Sequence, residues 1–396
     1  MLGARGSLVP KGPTLIAFML MTLAWASIGS AAEIVVTSTA DAVTVDSNCT
    51  LREALIAANG NIAVDACSAG SAGSTDVILL PAGTITLNLT GTGEDGCLTG
   101  DLDLSGDVDI RGAGARSTIL DASGLDRLFE VDPGFAGVTV RIADMSLLNG
   151  DSGGGEGGGI RNNGTLTLER VTLADNVAAG PGGGIRNNGT VTVIASTLSG
   201  NQTNDHGGGI DNHGTAHLLN STVVGNSVIG GGAGGGLYVN TGESMTFVGS
   251  TVLGNSAGNG PAIRNLGSLV AVGSIISGVC SGTVTSSGGN LETPGNTCGL
   301  GTGDQANVAD PLLDPLGNYG GPTDTLRPQA GSPAIDHGAT TACPGLDQRG
   351  NHRPADGNGD QVPACDAGAH ELAGEPQLFV NGFEAGDLSG WSAVVP

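Results

Sequence analysis

Gly157-Gly-Gly-Ile-Arg-Asn-Asn-Gly164 and the identical phrase at 182–189 decide the fold of this chain. A third copy, Gly207-Gly-Gly-Ile-Asp-Asn-His-Gly214, follows, and looser copies begin at positions 234 and 260. The apolar residues that mark the copies are Ile160, Ile185, Ile210, Leu237 and Ile263, spaced by 25, 25, 27 and 26 residues. A period of this length, which tolerates small insertions, indicates a solenoid of stacked units.

Each copy alternates apolar with polar residues, as in Leu166-Thr167-Leu168 and Val191-Thr192-Val193. This period of two is typical of a strand with one buried face, and three apolar positions at fixed offsets predict three short strands per unit. Such a unit cannot bury its inward face alone, whereas stacked units form parallel sheets about 4.8 Å apart around one core. We therefore predict an all-β, right-handed, single-stranded parallel β-helix with a short N-terminal capping helix.

The corners of the predicted coil carry glycine and asparagine. Glycine tolerates positive φ and lets neighbouring coils approach closely. An asparagine closes the last phrase of four units, at Asn176, Asn201, Asn226 and Asn255. Because asparagine accepts left-handed turn geometry and identical amides can bond to one another, we expect a ladder of stacked amides at this corner.

The N-terminus has the order of a secretory signal: Arg5 and Lys11, then an apolar run, then Ser30-Ala31-Ala32. We divide the chain into a signal peptide (1–32), an N-terminal cap (33–75), the β-helix repeats (76–303), a C-terminal module (304–373) and a C-terminal tail (374–396). No later stretch approaches the roughly 20 apolar residues of a membrane span. We expect a protein that is secreted or displayed at the cell surface.

Because we expect the chain to be exported to an oxidising compartment, we expect its seven cysteines to form disulfides rather than stay free thiols. Proximity in the sequence pairs Cys49 with Cys67, Cys280 with Cys298, and Cys343 with Cys365. Each pair closes a short loop, for which chain entropy gives on the order of 3 kcal/mol. Cys97 is left over, and it either displaces one partner or stays free.

The formal charge is −24, and Lys11 is the only lysine. An acidic surface repels nucleic acid, which excludes that class of partner. It also disfavours polyanionic glycans and anionic membranes unless divalent cations bridge the contact. Solubility and resistance to sheet-edge aggregation are the simpler explanation of the charge.

One segment departs from the strand pattern, Cys49-Thr-Leu-Arg-Glu-Ala54 and the residues that follow it. Thr50 and Glu53 have the spacing of a capping box, and Leu51, Leu55 and Ala58 share one helical face. We predict a helix that covers the open end of the solenoid. The segment resembles the Cys-Ser-Leu-Arg-Glu-Ala motif at the start of many exported bacterial β-helix proteins.

Two further resemblances follow from the rest of the chain. The Gly-Gly-Gly-Ile units with their asparagine phrases look like repeats of polymorphic outer-membrane and adhesin-like proteins. The phrases Gly331-Ser-Pro-Ala-Ile-Asp336, Asp347-Gln-Arg-Gly350 and Cys365-Asp-Ala-Gly-Ala-His-Glu371 are similar to the choice-of-anchor module. That resemblance implies attachment to the cell envelope through a signal at the C-terminus, where the tail also resembles a short sorting tag.

Two clusters suggest ligands. Asp356, Asn358 and Asp360 alternate with glycine as in calcium loops, and Asp366 adds a carboxylate; an ordinary acidic turn is the alternative, because Gln361 and Ala367 depart from the EF-hand pattern. The second cluster consists of Asp205, His206, Asp211, His213 and His217. These residues align with ordinary outward positions and turns of neighbouring units, so we interpret them as a solvated face rather than a metal or acid–base site.

The function predicted from these features is non-catalytic contact with an extracellular glycan, matrix or protein ligand. Arg161, Arg186, Asp211 and Arg264 form an outward row that could touch sugar, although few aromatic residues are present for stacking. We assign no catalytic residue and no cofactor other than calcium. One alternative is a lyase or hydrolase of acidic polysaccharides. Another is an ice-binding surface built from Thr165, Thr167, Thr190, Thr192 and Thr215.

Overall fold

The computed structural model describes residues 31–373 except residues 92, 135 and 341. Nearly all of the predicted signal peptide and the whole C-terminal tail lie outside the described residues. The chain forms an all-β parallel solenoid of about 7 turns, which confirms the predicted class of fold. Every pairing between the strands is parallel, as stacking of successive coils requires.

Three long sheets run the length of the solenoid, and we number them in the order used below. Sheet 1 has 10 strands: Glu33–Val35, Asp76–Leu79, Val108–Arg111, Thr139–Ala143, Thr165–Glu169, Thr190–Ile194, Thr215–Leu219, Ser244–Val248, Ser268–Val272 and Thr285–Ser286. Sheet 2 has 8 strands: Leu102–Leu104, Phe129–Val131, Ile160–Asn162, Ile185–Asn187, Ile210–Asn212, Leu237–Val239, Ile263–Asn265 and Cys280–Ser281. Sheet 3 has 9 strands: Gly83–Thr86, Thr118–Asp121, Ser146–Leu148, Thr172–Ala174, Thr197–Ser199, Thr222–Val224, Thr251–Leu253, Ile275–Ser277 and Leu291–Thr293.

A fourth, three-stranded sheet was not expected from the repeat. Its strands are Val177–Ala178, Gln202–Thr203 and Ser227–Val228. They follow the asparagine corner in three successive coils, where two residues per coil pair in register. Strands of 2 residues are too short for an alternation of apolar and polar residues to be recognised in the sequence.

The repeat markers stack directly on one another inside the solenoid. Ile160 pairs in register with Ile185, and Ile185 pairs with Ile210. These residues are fully buried, as are the alternating apolar residues of sheet 1 such as Leu166 and Val191. Burying one such side chain contributes about 1.5–3 kcal/mol, so the column of inward residues is the main stabilising term of the fold.

The predicted asparagine ladder is present at the corner after sheet 3. Asn176, Asn201, Asn226 and Asn255 are buried, and Nδ2 of each of the first three donates to Oδ1 of the next asparagine at 2.8–2.9 Å. The left-handed residue lies one position earlier than predicted, at Asp175 (φ 56°) and Gly200 (φ 66°). The asparagine is thereby free to turn its amide inward.

Two more buried ladders run beside the first. Asn162 donates to Asn187 and Asn187 to Asn212, both at 2.7 Å, at the corner between sheets 2 and 1. A serine ladder lies at the corner between sheets 1 and 3, where the backbone N–H of Ser196 donates to Oγ of Ser221 at 3.2 Å. A bend in the backbone would leave buried polar groups without hydrogen-bond partners. In these ladders, the equivalent residue of the next coil provides the partner.

The helix Leu51–Gly60 covers the N-terminal end of the solenoid, as predicted. Thr50 and Glu53 form the capping box, and Leu51, Leu55 and Ala58 are buried. Arg52 is also buried: it pairs with Asp41 and donates to the carbonyl oxygen of Gly100 at 2.5 Å. The arginine of the Cys-Thr-Leu-Arg-Glu-Ala motif thus ties the helix to the coil beneath it.

The three predicted disulfides are present, between Cys49 and Cys67, Cys280 and Cys298, and Cys343 and Cys365. Cys97 is free and buried. The first disulfide fastens the capping helix to the loop after it. The second fastens the loop after residue 293 to the last strand of sheet 2, which closes the other end of the core.

The C-terminal module, residues 304–373, folds back along the solenoid. Gln348 lies against sheet 3, where its Nε2 donates to Oγ1 of Thr197 at 2.9 Å and its Oε1 accepts from Oγ1 of Thr222 at 2.7 Å. Arg116, from an early coil, pairs with Asp324 at 2.6 Å. The module therefore covers the outer side of sheet 3 and leaves the outer faces of sheets 1 and 2 as the long open surfaces.

Candidate ligand-binding surface on the second sheet

The outer face of sheet 2 carries one polar side chain from each coil. We call this set the sheet 2 row: Asp103, Glu130, Arg161, Arg186, Asp211, Tyr238, Arg264 and Ser281, in register from the first coil to the last. Neighbours are one strand spacing apart, about 4.8 Å. The row contains the four residues that the sequence placed on one outward line.

The first two positions of the row belong to an acidic cluster. Asp101, Asp103 and Glu130 form the one group of three or more His, Cys, Asp or Glu, within the part of the chain described, whose ligand atoms lie within 4.8 Å of one another. Arg127 already places its Nη1 at 3.0 Å from Asp101 Oδ2 and 2.6 Å from Glu130 Oε2. Its guanidinium supplies the positive charge that these carboxylates require.

Protonation also relieves the charge of this cluster. Burial raises the pKa of Asp101 to about 6, with the opposing charge of Arg127 limiting the rise. Burial, and then the neighbouring charge of Asp101, raise the pKa of Asp103 to about 8. Burial likewise raises the pKa of the Cys97 thiol, so this thiol is neutral and hydrogen-bonds to the backbone of Asp103. This end of the row is a structural cluster.

The middle of the row consists of ion pairs that hold arginine side chains in place. Arg161 pairs with Glu130 at 2.6 Å, and Arg186 pairs with Asp211. The Arg161 side chain is 30 % exposed and that of Arg186 is 11 % exposed. Glu156, from the loop before the strand, lies 3.8 Å from Arg161 and 3.6 Å from Arg186. Both guanidinium groups are therefore oriented before any ligand arrives.

Tyr238 gathers two histidines around the row. The ring of His206 stacks on it with centroids 4.5 Å apart and planes at 3°, and the ring of His213 lies 6.3 Å away. His206 Nδ1 accepts from the N–H of Ala233 at 3.0 Å, so its neutral form carries the proton on Nε2. His213 Nε2 lies 3.4 Å from Asp211 Oδ1. Burial, with the charge of Asp211, raises the pKa of Tyr238.

These contacts correct the interpretation of the histidine cluster as a solvated face. Asp211 has a side-chain exposure of 0 %, because Arg186 and His213 cover it, and it offers no surface of its own to a ligand. His206 and His213 are half-buried, whereas His217 is exposed on sheet 1, away from them. Tyr238 is the functional candidate that the sequence missed; its position after Leu237 in a looser copy of the repeat was the available signal.

The proposed calcium ligands lie in a loop of the C-terminal module. Asp356 accepts from the backbone N–H groups of Gly359 and Gln361 at 2.7 and 2.9 Å, and Asp360 accepts from that of Val362 at 2.8 Å. Asp366 is buried and accepts from the backbone of Asp336 and Leu372 at 2.8 and 2.6 Å. Burial raises the pKa of Asp366 to about 7.

These contacts fit a self-bonded acidic turn better than a calcium loop. The carboxylates of the loop are occupied by backbone donors, and they do not form a group of three within 4.8 Å among the described residues. Calcium would have to replace several of these hydrogen bonds. Calcium binding at Asp356, Asn358, Asp360 and Asp366 stays a prediction.

The threonines of the third functional alternative lie on the outer face of sheet 1. Thr165, Thr190 and Thr215 stack in one line, and Thr167 and Thr192 in another. The second line ends at Arg141 in one direction and at His217 in the other. Arg141 belongs to an ion-pair network with Asp109 and Glu169, at 2.7 and 2.6 Å. Sheet 1 thus presents a short patch of hydroxyl groups bordered by charges.

No protein-family model matches the chain, and comparisons with curated proteins and solved structures found no significant similarity. Within the described ranges, no helix has the length and apolar character needed to cross a membrane. Ideas about function therefore depend on the residues of this chain.

Proposed function

We propose that this chain is an exported β-solenoid, secreted or held at the cell surface, that binds an extracellular glycan or matrix polymer without changing it. One observation carries the proposal: Arg161, Arg186 and Arg264 lie along one line on the outer face of sheet 2, and ion pairs already orient the first two. A polymer with a regular repeat can contact such a line at several coils at once. Weak contacts then add through multivalency.

The features of export agree with this role. The order of the first 32 residues is that of a secretory signal, and three disulfides suit an oxidising compartment. The C-terminal module and tail would provide attachment to the envelope. Fractionation of cells expressing the full chain and a chain stopped before Gly374 tests attachment, which identical localisation of both forms would refute.

Adsorption to insoluble polymers tests the proposed binding. The purified protein is mixed with cellulose, xylan, chitin, peptidoglycan and extracellular matrix preparations, and the unbound fraction is measured. We expect at least one polymer to retain the protein, and the double variant Arg161→Gln, Arg264→Gln to reduce retention by about tenfold, because two charge-assisted contacts are lost.

The matched control is Thr167→Ala with Thr192→Ala, which changes two residues on the outer face of sheet 1. We expect this variant to bind as the unchanged protein does. Equal loss of binding in both variants, or no retention on any polymer, would refute a binding surface on sheet 2. Thermal hysteresis by the unchanged protein, lost in the threonine variant, would favour the ice-binding alternative.

A lyase for acidic glycans is the second candidate, and the convergence of His206 and His213 on Tyr238 favours it. In such a reaction a base removes the proton beside the sugar carboxylate, the C–O bond to the leaving sugar breaks, and a double bond forms. His213 would accept the proton, and the Tyr238 phenol, which its raised pKa keeps protonated, would protonate the leaving oxygen. Ultraviolet absorbance from unsaturated products, absent in Tyr238→Phe, would replace the binding proposal with this one.

A further inference from the structure

Arg264 is the exception among the arginines of this acidic chain. Of the 12 arginines between positions 31 and 373, 11 have a carboxylate oxygen within 4.0 Å. Arg264 has no such partner among the described residues. Its one hydrogen bond there is from Nη1 to Oγ of Ser281, the next residue of the row. In a chain with 38 acidic residues, a half-buried arginine without a carboxylate is unusual.

Arg264 and Tyr238 are neighbours in the sheet 2 row, about one strand spacing apart. Within the described part of the chain, the Tyr238 hydroxyl has no hydrogen-bond partner, although stacking on His206 fixes its ring. The guanidinium keeps Nε and Nη2 as further donors, since only Nη1 is used by Ser281. The Arg264 guanidinium and the Tyr238 hydroxyl are therefore adjacent, held in place, and left with hydrogen-bond donors that no described residue accepts.

We propose that Arg264 and Tyr238 form a subsite for one carboxylate-bearing sugar residue of an otherwise neutral glycan. The inference rests on the proposed glycan contact and names the chemistry recognised at one position of it. The guanidinium binds both carboxylate oxygens, which is its preferred geometry, and the tyrosine hydroxyl donates to a ligand oxygen. Ser281 holds the guanidinium in position.

The charge of the molecule limits how acidic the glycan can be. The chain carries a formal charge of −24, so a polymer with a carboxylate on every sugar is repelled before it reaches the row. A single carboxylate is bound at short range, where charge-assisted hydrogen bonds outweigh a field that salt screens within about 8 Å. A sparsely charged glycan satisfies both conditions.

The groups around the subsite agree with a single carboxylate. Asp211, the nearest acid in the row, is paired with Arg186 and has a side-chain exposure of 0 %. Asp205 lies 3.3 Å from His206 Nε2, in the turn that precedes a strand two coils away from Arg264. Arg264 is consequently the accessible cation at this end of the row.

An array of oligosaccharides, each carrying one glucuronate, galacturonate or pyruvate ketal, tests the subsite. Each glycan is paired on the array with its carboxyl-reduced form, which is identical except for the charge. We expect the intact form of at least one pair to bind about tenfold more tightly, and Arg264→Gln to remove the difference, since one charged contact is lost. Tyr238→Phe should reduce the difference about threefold without changing the fold of the protein.

Arg111→Gln is the matched control, because it removes the same charge from an exposed ion pair on sheet 1. It should leave the preference for the intact form unchanged. Equal binding of intact and reduced forms, or an unchanged preference in Arg264→Gln, would overturn the subsite while glycan contact stands. Binding to neither form of any glycan, together with no retention on insoluble polymers, would overturn both.

Discussion

The same coils carry two lines of polar side chains with different structural roles, the buried asparagine ladder and the sheet 2 row. In the ladder, Asn176, Asn201, Asn226 and Asn255 are joined by three amide–amide hydrogen bonds, so the same side chain fits four successive coils. In the row, acidic, basic, aromatic and hydroxyl side chains replace one another from coil to coil, and Arg264 has no carboxylate partner among the described residues. The repeat is strict where a residue bonds to its own copy, and it varies where the surface is open to a ligand.

The largest effect should come from breaking the ladder in its middle. Asn201→Leu removes the acceptor of both the backbone N–H and Nδ2 of Asn176, and the donor to Asn226 and to the carbonyl oxygen of Leu173. Buried groups left unpaired cost about 1–3 kcal/mol each, so we expect a loss of about 3–4 kcal/mol in the free energy of unfolding. Urea unfolding followed by circular dichroism measures it.

Asn188→Ala is the control for this ladder variant, because Asn188 lies at a half-buried corner, where it donates to Asn163 Oδ1 and accepts from Arg186 Nε. We expect a loss below about 1 kcal/mol, as for a partly exposed hydrogen bond. A similar loss for both variants would mean that the buried ladder is not the stronger element.

A smaller loss of stability should follow in the row. Arg186→Met leaves the buried carboxylate of Asp211 without its partner, and we expect a loss of about 2 kcal/mol in the free energy of unfolding. Asp211→Asn in the same chain should restore about half of it, because the unpaired charge is gone. Additive losses in the double variant would show that the two residues do not act as a pair.

The first position of the row should respond to pH. Because the pKa of Asp103 is raised to about 8 from an ordinary 3.8, its protonated form stabilises the folded state. This contribution is complete below the unfolded value and is lost as the pH rises through 8. We expect the melting temperature of Asp103→Asn to fall less than that of the unchanged protein between pH 4 and pH 8. Parallel pH profiles would contradict a buried, protonated Asp103.

The smallest effect concerns the acidic loop of the C-terminal module. If calcium binds there, millimolar calcium should raise the melting temperature by a few degrees, through preferential binding to the folded state. Asp360→Asn should reduce that increase. Calorimetric titration provides the second readout, and no heat together with an unchanged melting temperature would refute the site.

Most of the solenoid was predictable because its signals are local and periodic. The alternation around Leu166 and Val191 predicts strands of sheet 1, and the capping box of Thr50 and Glu53 predicts the helix. The disulfides followed from short separations of 18 to 22 residues. A residue with the same offset in every unit has the same environment in every coil. Aligning the units therefore predicts where each such residue lies in the coil.

The parts that the sequence did not reveal depend on contacts that do not repeat. The stacking of His206 on Tyr238 joins the turn of one coil to the strand of the next, in a copy whose spacing is 27 rather than 25 residues. The buried position of Asp211 depends on Arg186 and His213. Gln348 reaches Thr197 across 151 residues, a distance at which no periodic pattern exists.

Hydrogen–deuterium exchange with and without the best-retained polymer tests the central claim most directly. Bound polymer should slow exchange in 156–163, 181–188, 206–213, 233–240 and 259–266, the loops and strands that carry Arg161, Arg186, Asp211, Tyr238 and Arg264. It should leave the strands of sheet 1, such as Thr190–Ile194, unchanged. Protection confined to sheet 1 or to the C-terminal module, with none along the row, would contradict the account.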